Sequence, residues 1–274
     1  MKLAVLLATY NGEKYISVQL DSLLAQTYNN FVVYISDDLS TDNTNLIINE
    51  YVSKYPNKFI NLNNRIRFGC ARDNFLNMAK EVFADVYMFC DQDDVWLPDK
   101  ISITVDKYNS IENQNKPILI HSDLFVVDEN LNVINNSFFN MMQLHKTAYV
   151  NNYLVQNNVT GCTMLVNNEL LQFYRKYTFC NEKILMHDHF FALIASIFGE
   201  VLFIDKSLIL YRQHGNNSVG AKDVSSLKYI YLKLKQGLIN DKFNDMALNQ
   251  AKELLRINEL YPNVRKLVQD YSDI

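Results

Sequence analysis

From Leu3 to about Val105, short apolar runs alternate with amphipathic stretches, and the apolar runs end on polar or acidic residues. This alternation restricts the fold more than any other feature of the chain. Leu3 to Ala8 is a continuous apolar run followed by Asn11-Gly12, the pattern of a parallel strand buried on both faces. Tyr15, Ile16, Leu20, Leu23 and Leu24 then recur at helical spacing between Glu13 and Gln26. Phe31 to Ile35 reads as a second strand, and Asp42 as the cap of a helix through Leu46, Ile47, Ile48 and Tyr51. A third strand is expected at Phe59 to Leu62, a third helix at Asn74 to Phe83 and a fourth strand at Asp85 to Cys90. Pro98 fits the first turn of a further helix through Ile101 and Val105. Strands alternating with helices imply an α/β fold with a doubly wound, mostly parallel sheet and helices on both faces. Ligands of such sheets sit at the carboxyl ends of the strands, beside the point where the strand order reverses. The polar residues gather at those ends: Thr9-Tyr10-Asn11, Asp37-Asp38 and Asp91-Gln92-Asp93-Asp94.

The second half is less regular. Ile118 to Val127 reads as a strand that can pair with Leu131 to Ile134 across an Asp128-Glu129-Asn130 turn. Thr160 to Val166, Val201 to Ile204 and Ser207 to Tyr211 are strand-like, while Ile184 to Phe198 and the chain from Ser225 onward are helical in pattern. No linker separates the halves, so the expectation is one compact domain with a helical extension at its C-terminal end.

With 274 residues, 49% of them apolar, the chain can bury a full core. A net charge of −4 lacks the basic face of a nucleic-acid binder. Cys70, Cys90, Cys162 and Cys180 are widely spaced with no C-x-x-C pair, which disfavours a zinc ribbon or a redox motif. No run approaches the ~20 apolar residues that cross a bilayer. The first strand begins at Lys2 with no separate leader. The expected compartment is therefore the cytoplasm, with reduced thiols.

Three constellations carry chemistry. In Asp91-Gln92-Asp93-Asp94, three carboxylates fall within four residues at the end of an apolar strand. A hard divalent cation such as Mg²⁺ or Mn²⁺ relieves their repulsion and leaves positions open for phosphate oxygens. The competing reading is a solvated acidic turn. In Asp37-Asp38-Leu39-Ser40-Thr41-Asp42, an aspartate can accept hydrogen bonds from a base or ribose, or can simply end the strand and start a helix. The absence of G-x-G-x-x-G and G-x-x-x-x-G-K-[ST] removes the main support for nicotinamide and P-loop readings. In the second half stand His187-Asp188 and Tyr211-Arg212-Gln213-His214-Gly215-Asn216-Asn217. Asp188 is either a first-turn helix acid or a general base. His214 is either structural or a metal ligand, and Arg212 can meet phosphate oxygens.

In this order, the segments Ala8–Gly12, Ile35–Asp42, Phe89–Lys100, Thr160–Met164, His187-Asp188 and Leu210–Asn217 resemble glycosyltransferase family 2. Within that family the likeness is to bacterial rhamnosyltransferase-like enzymes of surface polysaccharide assembly. The resemblance implies a GT-A, Rossmann-like fold. It also implies a catalytic domain over 1–220, with a nucleotide-binding half at 1–110 and an acceptor-binding half at 111–220, and a helical extension over 221–274. It places Thr9, Tyr10, Asn11, Asp37, Asp38, Arg72, Asp91, Gln92 and Arg212 at the nucleotide-sugar. It assigns Asp91, Asp93 and His214 to a Mn²⁺ or Mg²⁺ ion, and Asp188 to the base that deprotonates the acceptor. The family's usual pair of acids is His187-Asp188 here, which leaves the pair's first position without an assigned role. The implied reaction is an inverting transfer of rhamnose from dTDP-rhamnose, with UDP-hexoses as the main competing donors. The implied acceptor is a glycan or a lipid-linked oligosaccharide. A nucleotidylyltransferase is the rival enzyme class, and a non-catalytic carbohydrate-binding protein the rival outside enzymes.

Ser225 to Leu238 mixes Leu227, Tyr229, Ile230, Tyr231, Leu234 and Leu238 with Lys228, Lys233 and Lys235. Such a basic amphipathic helix either packs on the core or lies on the inner face of an anionic membrane as a peripheral contact.

Overall fold

A computed structural model describes residues 1–214 and 241–273. The expected helix over Ser225–Leu238 and the residues Gly215-Asn216-Asn217 lie outside them. Nine strands form one sheet in the order β3-β2-β1-β4-β8-β6-β9-β5, with β7 paired to β6. The strands are β1 (Leu3–Thr9), β2 (Phe31–Asp37), β3 (Phe59–Asn61), β4 (Val86–Cys90), β5 (Val95–Trp96), β6 (Ile118–Val127), β7 (Val133–Asn135), β8 (Leu165–Asn167) and β9 (Glu200–Arg212). The helices, numbered along the chain, are α1 (Ile16–Leu24), α2 (Thr44–Lys54), α3 (Ala71–Glu81), α4 (Lys100–Asn109), α5 (Phe138–Met142), α6 (Val150–Val155), α7 (Asn168–Lys176), α8 (His187–Phe198), α9 (Asp241–Leu254) and α10 (Pro262–Ser272).

The first half follows from its pattern. Every residue of β1 and β4 is buried, because both strands lie inside the sheet with helices above and below. β3, β2, β1 and β4 are parallel neighbours, so the chain winds outward from β1 and then returns to its other side. The strand order therefore reverses between β1 and β4, the place where an open α/β sheet presents its ligand crevice.

The second half departs from a purely parallel sheet. β8 is antiparallel to both β4 and β6, β9 is parallel to β6, and β5 closes the far edge antiparallel to β9. The two strands expected at Val201–Ile204 and Ser207–Tyr211 are one long strand, β9. Their apparent break is a bulge: Ser122 faces Ile204 and Asp123 faces Ser207, which leaves Asp205 and Lys206 extra. The helix expected from Ile184 starts at His187, after a 3-10 turn at Asn181–Lys183 and an extended Met186. Pro98 precedes α4 rather than opening it, and its carbonyl accepts a hydrogen bond from Thr27 N at 2.9 Å. Of the expected Thr160–Val166 strand, Gly161–Thr163 is a 3-10 turn and only Leu165 onward pairs.

The sheet has an apolar layer on each face. One holds Leu3, Val5, Leu7, Leu20, Val33, Ile35 and Trp96. The other holds Leu6, Phe75, Phe89, Phe190 and Phe191, and includes Ala251, Leu254, Ile257, Leu260 and Val268 from the C-terminal helices. Gln250 and Glu253 of α9 also accept hydrogen bonds from Leu185 N and Cys180 N, at 3.0 and 2.9 Å. The described part of the C-terminal extension is thus built into the layer that backs α8. Among the described residues no helix is long and apolar enough to cross a membrane.

Candidate functional site

The site lies where β1, β2 and β4 end. Thr9 is level with Asp37, and Leu7 with Cys90, so the chain beyond Cys90 passes beside Thr9. Gln92 closes that gap: its Oε1 accepts from Thr9 Oγ1 at 2.5 Å and Tyr10 N at 2.9 Å, while its Nε2 donates to Tyr10 O at 3.0 Å. Both ends of the Gln92 amide are therefore engaged in binding the β1 loop to the acidic loop. Gly12 makes this possible, since a Cβ there would fall 2.2 Å from Gln92 Oε1. Asn11 adopts a left-handed backbone, φ 48°, which asparagine tolerates better than most residues. Its Oδ1 accepts from Thr41 N at 2.8 Å, and its N–H donates to Ser40 Oγ at 2.8 Å.

The two aspartates ending β2 divide the labour. Asp37 accepts from Ser40 N (2.8 Å), Ser40 Oγ (2.5 Å) and Asn45 Nδ2 (2.7 Å), which is the local, helix-starting role. Asp38 donates its backbone N–H to Thr9 O at 2.8 Å, and its carboxylate accepts from Phe68 N and from Gly69 N at 2.8 Å. That grip shapes the loop before α3, where Gly69 supplies a φ of 82°. The helix start expected from Asp42 is realised as an Asx-type turn: its Oδ1 accepts from Thr44 N at 3.0 Å, and its Oδ2 from Glu13 N at 3.1 Å.

The loop also sets where Arg67 and Arg72 lie. Arg72 sits on α3 with its guanidinium on Asp73 (2.9 and 3.1 Å) and on the Ile184 carbonyl (2.9 Å), tying α3 to the segment before α8. Arg67 instead lies over the Tyr10 ring, 4.3 Å to the centroid, with Nε 4.0 Å from Asp38 Oδ2. Sequence reasoning passed over Arg67. Its only signal was its place in the loop after β3.

β5 assembles the far side. Val95 pairs with Leu210 and Trp96 with Ile209, which brings the end of β9 against the acidic loop. His214 Nε2 then lies 2.7 Å from Asp93 Oδ2. Arg212 is buried, with its N–H donated to Asp94 Oδ1 at 3.1 Å, Nε to Asp93 O at 2.8 Å and Nη1 to Glu129 O at 2.5 Å. Arg212 thus clamps the acidic loop from beneath through those carbonyls. Asp94 points inward, fully buried, with the Cys162 thiol beside its carboxylate.

Asp188 comes from the opposite half. It is the second residue of α8, 8% exposed, and its Oδ1 accepts from His189 N at 2.6 Å. The 3-10 turn expected as a strand lies beside it, and the nearby Gly161 N–H and Asn157 side chain hold its carboxyl down against the effect of burial. His187 packs between Phe75 and Phe89, centroids 4.4 and 5.3 Å away, and against Gly161, where a Cβ would meet its Nε2 at 2.8 Å. Burial holds this imidazole down to about 3, so it is neutral.

The acids oppose one another. Burial first, then the neighbouring Asp93 and Asp188, push the Asp91 carboxyl up to about 7. Burial likewise lifts Asp188 to about 7, against the pull of its backbone hydrogen bonds. Burial, with Asp93 and Asp91, raises Asp94 well above the usual carboxylate range. Buried, mutually repelling carboxylates with one imidazole are a donor set that a hard divalent cation fits, since the cation supplies the missing positive charge. Asp93 and His214 meet directly. Asp91, for its part, belongs to a group with Asp94 and Cys162 whose ligand atoms lie within 4.8 Å of one another.

A sheet of this order, with acids at the ends of β2 and β4 and a further acid facing them from α8, is that of the GT-A glycosyltransferases. The chain belongs to glycosyl transferase family 2, whose model matches residues 4–202. It is 32% identical over 247 residues to the dTDP-rhamnosyl transferase RfbG of Shigella flexneri, covering 86% of this chain and 80% of that protein. It is 24% identical to the UDP-Glc:alpha-D-GlcNAc-diphosphoundecaprenol beta-1,3-glucosyltransferase WfgD of Escherichia coli, over 98% and 96% of the two chains. Among solved structures, Staphylococcus aureus TarS 1–349 in complex with UDP-GlcNAc superposes with a TM-score of 0.63 at 20% identity, over 99% of this chain and 70% of that one. The present chain spans 43% of the longer TarS chain. The mannosyltransferase PcManGT of Pyrobaculum calidifontis, in complex with GDP-Man and Mn²⁺, gives a TM-score of 0.61 at 16% identity, over 98% and 68%.

Proposed function

We propose that this glycosyltransferase moves rhamnose from dTDP-rhamnose to a hydroxyl of a glycan or lipid-linked oligosaccharide, with inversion at the anomeric carbon. The observation that carries the reading is the facing of Asp188 and Asp91. The two carboxyls come from opposite halves of the chain, lie close enough to interact electrostatically, and are both lifted by burial. Asp91, Asp93 and His214 would hold Mn²⁺ or Mg²⁺, which when bound supplies Lewis-acid neutralisation of the leaving diphosphate. The nucleotide would lie along the ends of β1 and β2, over Thr9, Tyr10, Asn11 and Asp38, with Arg67 beside the Tyr10 ring. Gln92, Asp37, Arg72 and Arg212 act one step removed, by fixing the loops that carry those residues.

Asp188 takes the proton of the acceptor hydroxyl. That oxygen bonds to the anomeric carbon as the bond to the diphosphate breaks, and the electron pair leaves with the nucleoside diphosphate. A carboxyl near 7 suits this step, because it is ionised often enough to act and basic enough to accept. A single displacement inverts the centre and needs no covalent sugar–enzyme intermediate.

The donor rests on the likeness to the rhamnosyl transferase. The similarity to WfgD along nearly the whole chain favours a UDP-hexose as the second reading. The deciding experiment compares dTDP-rhamnose with UDP-glucose, UDP-galactose and UDP-GlcNAc by thermal shift with Mn²⁺, followed by donor turnover. The largest stabilisation and turnover with dTDP-rhamnose supports the first reading, and a preference for a UDP-sugar overturns it.

A further inference from the structure

Around the ring of Tyr15 gather its neighbour Lys14 and two groups from the far end of β9, Arg212 and His214. The His214 imidazole stacks on it with centroids 4.8 Å apart and planes inclined by 30°. The Arg212 guanidinium lies 4.7 Å from its centroid, and Lys14 Nζ lies at 5.0 Å. Lys14 in turn pairs with Glu129 at 3.0 Å, and Glu129 O is one of the carbonyls that holds Arg212. Tyr15 is half-buried at the entrance to α1, and its N–H donates to Gly12 O at 2.9 Å, so the ring is anchored to the loop that begins at Thr9.

From this arrangement we infer that Tyr15 is a positioning residue that holds His214 against Asp93 and thereby joins the nucleotide loop to the metal site. An imidazole turns on two single bonds, and a hydrogen bond of 2.7 Å to Asp93 fixes one atom of it but not the plane of its ring. Stacking on Tyr15 fixes the plane, and the electron-rich face of the phenol favours the positive charge that a bound metal ion would place on His214. The same ring attracts the Arg212 guanidinium, whose Nε supports the Asp93 carbonyl, so one ring steadies both residues that reach the acidic loop from β9. The inference rests on the assignment of Asp93 and His214 to a divalent cation. It concerns the face of the ring, so phenylalanine should serve in place of tyrosine.

The test uses the full chain and its Tyr15→Phe and Tyr15→Leu variants, with dTDP and UDP titrated calorimetrically in Mn²⁺ and again in EDTA. The expected result is that Mn²⁺ tightens nucleotide binding by the wild type and by Tyr15→Phe. Tyr15→Leu should lose roughly three- to tenfold of that tightening, as expected for one aromatic and one cation contact, while its affinity in EDTA stays at the wild-type value. If Tyr15→Leu keeps the full Mn²⁺ effect, the positioning role is wrong while the metal assignment stands. If affinity in EDTA falls by the same factor as in Mn²⁺, Tyr15 is a nucleotide contact instead. If the wild type shows no Mn²⁺ effect at all, the metal assignment fails and the inference goes with it. Melting temperatures in EDTA keep a folding defect apart from these outcomes, and Tyr15→Met, which also lacks an aromatic face, is read in the same way if Tyr15→Leu does not fold.

Discussion

His214 Nε2 lies 2.7 Å from Asp93 Oδ2, two side chains separated by 121 residues of sequence. The contact exists because Val95 and Trp96 pair with Leu210 and Ile209, which brings the end of β9 beside the acidic loop. Asp93 thus has a hydrogen-bonded imidazole on one side and other carboxyls on the other, a donor set that a divalent cation fits.

Asp93→Ala should therefore abolish the Mn²⁺ enhancement of nucleoside diphosphate binding, because the cation loses a charged ligand. Calorimetric titration with dTDP or UDP, in Mn²⁺ and in EDTA, checks this. A variant that keeps the wild-type Mn²⁺ effect contradicts the assignment.

Gly12→Ala should weaken nucleotide binding in EDTA as well as in Mn²⁺. The new methyl group would meet Gln92 Oε1 at 2.2 Å and push the amide off Thr9 and Tyr10. Overpacking of this kind costs roughly 1–3 kcal/mol, so the melting temperature should fall by several degrees. Unchanged melting and affinity would show that the Gln92 bridge is not needed.

The stability of the metal-free protein should depend on pH through Asp188. Its carboxyl is near 7 in the folded protein, above the ordinary value of about 4 in an unfolded chain. The folded state therefore binds the proton more tightly, and the protein loses stability as pH rises from about 4 through 7. Asp188→Asn cannot ionise, so its advantage over the wild type should grow across that window and level off above it. At the limit the gain is roughly 4 kcal/mol. Melting curves in EDTA from pH 5 to 8.5 give the answer, and a constant difference between the two proteins would contradict the burial argument.

How much of this was legible in the sequence depends on the range of the interactions involved. β1 and β4 were readable because strands buried on both faces must be apolar throughout, and the acidic residues after β2 and β4 stand out against that background. β5 was not, because two residues carry no period, yet it decides where His214 and Arg212 go. The extra residues Asp205 and Lys206 look like a strand break from the sequence, and only the pairing with β6 shows them to be a bulge. Arg72 and Arg67 were indistinguishable by composition. The choice between them is made by backbone torsions at Asn63 and Gly69 and by the grip of Asp38 on the loop amides. Asp188 was found as a residue. Its environment, with Gly161, Asn157 and Asp91 around it, belongs to the tertiary structure.

The account turns on Asp188 as the base, and Asp188→Asn tests it most directly. Asparagine keeps the shape of the side chain and an oxygen to accept from His189 N, so the fold and the binding of donor and metal should be preserved. Initial rates of sugar transfer, measured alongside donor affinity, should fall by ~10²–10⁴, the usual contribution of a positioned proton acceptor. Transfer near the wild-type rate would contradict the base assignment, and loss of donor affinity would move Asp188 into the nucleotide or metal site.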